Sequence, residues 1–113
     1  MIIGLIPARY NSSRLPGKPL LKFKDKTMIQ MVYEQTLKSK YIDKVYVVTD
    51  DERIKQNIDK INGQVLMVTE KCLNGTERII LAIKKNRELF LKAKYIVNIQ
   101  GDEPFIDPQH IDS

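Results

Sequence analysis

The chain has 113 residues, 42% of them apolar and 29% charged, with a formal net charge of +5 and one cysteine. That length suits one domain or part of one, and a lone thiol excludes an intramolecular disulfide or a cysteine-cluster metal site, which fits a reducing cytoplasm. The uncharged start, Met1 to Ala8, is far short of the ~20 residues of a membrane helix, and Arg9 follows it where a secretory signal would place charge first.

Ile2-Ile3-Gly4-Leu5-Ile6, closed by Pro7, reads as a strand buried on both faces. A polar connection runs from Pro7 to about Asp25, stiffened by Pro16 and Pro19. Thr27 caps a helix through about Lys38, with Ile29, Val32, Tyr33 and Leu37 on one side. Val45 to Thr49 is the second strand, rich in β-branched residues. Asp50 or Asp51 opens a helix in which Ile54, Ile58 and Ile61 recur at helical spacing, ended by Asn62-Gly63. Val65 to Val68 is the third strand, and a longer helix begins near Thr76, carrying Ile79, Ile80, Ile83 and Phe90. Tyr95 to Ile99 is the fourth strand, running into Gln100-Gly101-Asp102-Glu103-Pro104. Strands alternating with amphipathic helices predict an α/β fold, a mostly parallel sheet with helices on both faces joined by right-handed crossovers. The apolar helix positions and Tyr33, Tyr41, Tyr46 and Tyr95 are assigned to packing. The strand order stays open.

Asp107-Pro108 is a helix-start signal with only five residues after the proline. A start without a body suggests an N-terminal piece of a longer chain, with residues 1–113 one nucleotide-binding portion.

The charge is concentrated. Residues 1–26 carry six basic side chains against Asp25 alone, while residues 27–113 hold thirteen of each sign. One short basic segment suits a compact polyanion such as a triphosphate better than a nucleic-acid coat, which spreads its cations along a face or a tail. Charge alone does not separate this from an ordinary solvated surface. In an open parallel sheet, ligands bind beyond the carboxyl ends of the strands. There the loop after the first strand brings Arg9, Arg14 and Lys18, and the turn after the fourth brings Asp102, a carboxylate of the kind that holds Mg²⁺ against substrate phosphates. Asp102 alone would equally serve as a turn cap. A P-loop is excluded, because Pro19 follows Gly17-Lys18 and Ser12 stands where the first glycine belongs. Cys72 has no histidine near it in sequence and reads as a small loop residue, not a nucleophile.

Four ordered motifs carry a resemblance: Ile6-Pro7-Ala8-Arg9-Tyr10 with Ser13-Arg14-Leu15-Pro16-Gly17-Lys18-Pro19-Leu20, Val48 to Arg53, Asn74-Gly75-Thr76-Glu77-Arg78, and Val97 to Pro104. Together they resemble the N-terminal half of the 3-deoxy-manno-octulosonate (Kdo) cytidylyltransferases. The resemblance implies a Rossmann-like nucleotidyltransferase fold and cytidylyl transfer from CTP to Kdo, a 2-keto-3-deoxy sugar acid, with Mg²⁺ required and pyrophosphate released. It implies Arg9, Lys18 and Asp102 as catalytic residues, Asp102 being the metal ligand, with Arg14 on the outer phosphates. Ala8, Gly75, Thr76 and Arg78 would border the base, Gln100 the base or ribose, and Ser13 and Asn74 would complete the nucleotide site. The family often has His-x-Ser-Gly-Thr where this chain has Cys72-Leu73-Asn74-Gly75-Thr76, so an imidazole is missing. The family's sugar pocket and most of its homodimer interface belong to a C-terminal half, which implies little turnover by these residues alone. The alternatives are an acylneuraminate (sialic acid) cytidylyltransferase, a non-catalytic nucleotide-binding module, and, on net charge only, a nucleic-acid binder. Neither nucleic acid nor membrane is expected as a partner.

Overall fold

A run such as Ile3 to Ile6 has no polar side chain to give to water, so the strand it forms needs cover on both faces. The computed structural model describes residues 1–10 and 17–99. In chain order it contains β1 (Ile2–Ala8), a 3₁₀ turn at Lys18–Leu20, β2 (Lys22–Phe23), β3 (Lys26–Thr27), α1 (Met28–Leu37), β4 (Lys44–Thr49), α2 (Glu52–Asp59), β5 (Val65–Met67), α3 (Gly75–Lys85), α4 (Arg87–Phe90) and β6 (Tyr95–Asn98). The four long-range strands form one parallel sheet in the order β5-β4-β1-β6. The chain steps from β1 to β4 to β5 in one direction, then returns past both to lie on the other side of β1.

Handedness dictates where the helices go. Two crossovers in one direction put α1 and α2 on the same face, and the reversed one puts α3 and α4 on the opposite face. The side chains divide accordingly. Ile6, Val45 and Val47 pack with Ile29, Val32, Ile54 and Ile58 of α1 and α2. Ile3, Leu5, Tyr46 and Val48 pack with Ile79, Ala82 and Phe90 of α3 and α4. The expected parallel sheet with helices on both faces is the observed one.

Thr27 and Gln30 form a reciprocal capping box at the start of α1. The Gln30 amide also donates to the Asn57 carbonyl at 2.8 Å, which ties α1 to α2. Asp51, not Asp50, caps α2. Beyond α2, Asn62 takes the left-handed conformation at φ 58°. Gly63 serves a different need: a Cβ there would lie 2.4 Å from Ile58 Cγ2 and 3.1 Å from the Tyr33 ring. Gly63→Ala is therefore expected to lower stability by about 1–3 kcal/mol through overpacking, read as a drop in the urea midpoint with an unchanged slope.

Several expectations need correction. The first strand does not stop at Pro7 but continues to Ala8. Leu5 turns its carbonyl to Ile99 on the β6 side, and Pro7, two residues on, faces the same way, so its missing N–H falls where the described pairing with β6 has ended and β4 pairing is undisturbed. The third strand ends at Met67, although the Val68 N–H still donates to the Thr49 carbonyl at 2.9 Å. The third helix starts at Gly75 and is broken at Asn86, whose side-chain amide donates to the Ala82 carbonyl at 2.8 Å. Among the described residues β6 is the outermost strand on its side of the sheet, and Tyr95 is 62% exposed. Tyr41, Leu37 and Ile80 are likewise exposed and not core. The polar connection also hides the short β2–β3 hairpin, turned by Lys24 at φ 64°. The helix-start signal at Asp107-Pro108 lies outside the described residues. Among the described residues no helix is long and apolar enough to cross a membrane.

Candidate functional site

Parallel strands deliver every βα connection to one edge of the sheet, and reversal of strand order beside β1 opens a crevice there. At that edge lies a cleft of about 230 Å³. Arg9 and Tyr10 reach it from the end of β1, Asp50 and Asp51 from the end of β4, and Lys71, Cys72 and Arg78 from the β5–α3 connection and α3.

Arg78 is the buried member, 2% exposed. Its Nη1 donates to the Val68 carbonyl at 2.6 Å, and its Nη2 stands 3.5 Å from Asp50 Oδ2. It thus links α3 to the ends of β4 and β5. Its Nε has no partner among the described residues. Asp51 is held by Arg53: Oδ1 accepts from the Arg53 backbone N–H at 2.8 Å and from Nε at 3.0 Å, and Oδ2 accepts from Nη2 at 2.7 Å. The Arg53 side-chain bonds keep the Asp51 carboxyl below its usual range despite some desolvation. The Arg53 guanidinium carbon lies 3.4 Å from the centroid of the Tyr10 ring.

Both carboxylates of the cleft are therefore engaged by arginines. Arg9 and Lys71 are exposed, and neither makes an ion pair among the described residues. What the cleft presents outward is positive, as an anionic ligand requires. The N-terminus of α3 adds to this, since a helix start carries partial positive charge. Gly75 brings it close to the end of β1: a Cβ there would be 3.2 Å from Pro7 Cγ.

The structure brings Arg9 and Arg78 into one cleft and sets Asn74, Gly75 and Thr76 at the adjoining helix start. Asn74 has a structural task there, its Oδ1 accepting from the Glu77 N–H at 2.9 Å as the N-cap of α3. Ala8 is buried, 4% exposed, with its methyl in the α1–α2 core, so only its backbone can serve a ligand. Lys18 begins the 3₁₀ turn just after Gly17, whose N–H donates to the Tyr10 carbonyl; it does not line the cleft. Ser13, Arg14, Gln100 and Asp102 lie outside the described residues. The strands leading to the two outlying segments are nonetheless neighbours, the Ile99 N–H donating to the Leu5 carbonyl at 2.9 Å. Sequence reasoning passed over Tyr10, Asp50, Asp51 and Lys71 as site residues, and treated Cys72 as a bystander although it borders the cleft. The signal for Asp50 and Asp51 was available, because they follow a buried strand just as Arg9 does.

A family model described as cytidylyltransferase matches residues 3–113. The chain is 46% identical, over 107 residues, to the 3-deoxy-manno-octulosonate cytidylyltransferase of Protochlamydia amoebophila, covering 95% of this chain and 41% of that protein. It is also 46% identical, over 115 residues, to an 8-amino-3,8-dideoxy-manno-octulosonate cytidylyltransferase of a Shewanella species, covering 98% and 44%. The chain thus spans about two fifths of the length of the curated relatives it matches. Among solved structures, a CMP:2-keto-3-deoxy-manno-octonic acid synthetase complexed with CTP superposes with a TM-score of 0.88 at 40% identity, covering 98% of this chain and 44% of the other. A nucleotidyl transferase from Methanothermobacter, at 18% identity and a TM-score of 0.78, shares the fold.

Proposed function

Because the chain belongs to the cytidylyltransferase family, we propose that it forms the nucleotide-binding part of an enzyme transferring a cytidylyl group from CTP to Kdo. In that reaction the anomeric hydroxyl oxygen of the sugar acid bonds to the α-phosphorus, the bond to the β-phosphate oxygen breaks, and pyrophosphate leaves as the hydroxyl proton is lost. Negative charge builds on the α-phosphoryl oxygens and on the leaving group, so fixed cations aimed at them lower the barrier.

What supports this reading is the convergence of exposed Arg9, the start of α3 and buried Arg78 at the carboxyl ends of β1, β4 and β5. Arg9 neutralises the reacting phosphates from the cleft, and Lys18, outside the cleft lining, joins it on the family resemblance, with Arg14 on the outer phosphates and Ser13 elsewhere in the nucleotide site. The base lies against the backbone at Ala8 and the Gly75, Thr76 and Arg78 segment, with Gln100 toward the base or ribose. Arg78, bonded to Val68 and beside Asp50, holds the start of α3 at the strand ends where the nucleotide lies.

Magnesium usually takes one or two protein carboxylates and fills its shell with water and phosphate oxygens. Among the described residues no three His, Cys, Asp or Glu side chains gather as a metal site, and Asp50 and Asp51 face arginines. Asp102, outside the described residues, is the residue we assign to the metal on the family resemblance. When bound, the ion would offset charge on the phosphates. A homodimer is proposed for the full-length enzyme on the family resemblance.

Titrating CTP into the full-length enzyme with and without Mg²⁺ tests the assignment. Lys18→Ala is expected to weaken binding about tenfold, the size of one charge-assisted hydrogen bond. Asp102→Ala is expected to remove the magnesium dependence. Unchanged binding in both variants would undo it. Pyrophosphate release with Kdo, its 8-amino analogue and sialic acid separates the acceptors, and exclusive use of sialic acid would defeat the choice of Kdo.

A further inference from the structure

Arg53 projects from the first turn of α2, outside the cleft lining, and its side chain is 58% exposed. An exposed ion pair of this kind is ordinarily of small consequence. Three features set this one apart. The guanidinium is locked, because one carboxylate, Asp51, takes bonds from its Nε, its Nη2 and the backbone N–H of the same residue. Locked in that way, it lies 3.4 Å from the centre of the Tyr10 ring, 43 residues away in sequence. Tyr10 is in turn the neighbour of Arg9, the exposed cation of the cleft, and accepts the Gly17 N–H on its carbonyl.

Arg9 therefore stands between two anchors. On one side Ala8 is buried in the last register position of β1 against β4. On the other, Tyr10 packs partly on the α1–α2 core and is covered by Arg53. Gly17 completes the contact, since a Cβ at that position would be 3.0 Å from Tyr10 Cε2. Releasing Tyr10 would free the backbone of Arg9 on its C-terminal side, and a phosphate-binding arginine that must be ordered on binding gives weaker affinity.

We infer that Arg53 is a positioning residue: clamped by Asp51 and stacked on Tyr10, it holds Arg9 over the cleft for the triphosphate. This rests on the CTP reading above. It makes Arg53 a determinant of nucleotide affinity although it touches no nucleotide.

The test combines binding, kinetics and amide exchange on the full-length enzyme. Arg53→Ala is expected to raise Kd for CTP and to lower kcat/KM about two- to fivefold, as loss of one exposed cation–π contact implies, and to leave the melting temperature nearly unchanged, Asp51 still capping α2. Arg53→Lys, which keeps the charge but not the planar fork, should fall between wild type and alanine. Tyr10→Leu should weaken CTP binding by at least as much, and adding Arg53→Ala to it should bring no further loss. The Gly17 amide should exchange faster in Arg53→Ala without CTP present, while the Ile58 amide in α2 keeps its protection. Wild-type CTP affinity in Arg53→Ala, multiplying losses in the double variant, or an unchanged Gly17 amide would each overturn the inference. A wild-type enzyme that fails to bind CTP would instead refute the nucleotide reading, and the Gly17 amide would still report on the clamp.

Discussion

Arg78→Ala is expected to lower the unfolding free energy by about 3 kcal/mol, the sum of an orphaned carbonyl and a cavity. The Val68 carbonyl loses its 2.6 Å donor, and the space vacated lies beneath α3 beside the ends of β4 and β5. Asp50 is partly exposed and can be rehydrated once the arginine is gone, so the loss comes from the carbonyl and the void rather than from a stranded charge. Arg78→Met keeps most of the volume and removes only the polar part, and should lose about half as much. Urea denaturation of the two variants separates the components. Both should also weaken CTP binding, because Arg78 fixes the start of α3 against the strand ends. Wild-type stability in both variants would mean that Val68 and Asp50 find other partners and that Arg78 holds nothing together.

Arg78 also shows how a sequence conceals its working parts. Its place in a motif at the start of the third helix was legible. Its burial was not, because charged residues are seldom fully buried and nothing local marks this one as the exception. The sheet was readable for the opposite reason: buried parallel strands write their environment as continuous apolar runs, and Ile29, Val32, Ile54 and Ile58 repeat at the period of a helix packed on one side. Strand order had to come from the structure, since the alternation of strands and helices is the same in several windings. The exposure of β6 among the described residues was hidden likewise, since Tyr95 and Ile96 carry the apolar side chains of an ordinary buried strand. The β2–β3 hairpin escaped because its turn uses Lys24 at positive φ, with no glycine or asparagine to announce it. The break at Asn86 is local, but a side chain bonding back to Ala82 looks in sequence like any polar surface position. The Arg53–Tyr10 contact joins two chain segments that no periodicity relates.

Arg9 gives the sharpest expected change in activity. Arg9→Ala should lower kcat/KM for CTP about a hundredfold or more, the range found when one preorganised donor to a developing anion is removed. Arg9→Lys should restore part of this, supplying a point charge without the two-pronged geometry that suits phosphate. The decisive comparison is with Lys71→Ala. Lys71 borders the same cleft and is likewise exposed, so it contributes to attraction at a distance, which salt screens over about 8–10 Å near physiological ionic strength. Raising the salt should therefore erase most of the Lys71→Ala effect, while the Arg9→Ala deficit persists because it reflects a direct contact in the transition state. Equal, salt-sensitive losses in both variants would mean that the cleft draws the triphosphate in by general charge and that Arg9 makes no contact of its own.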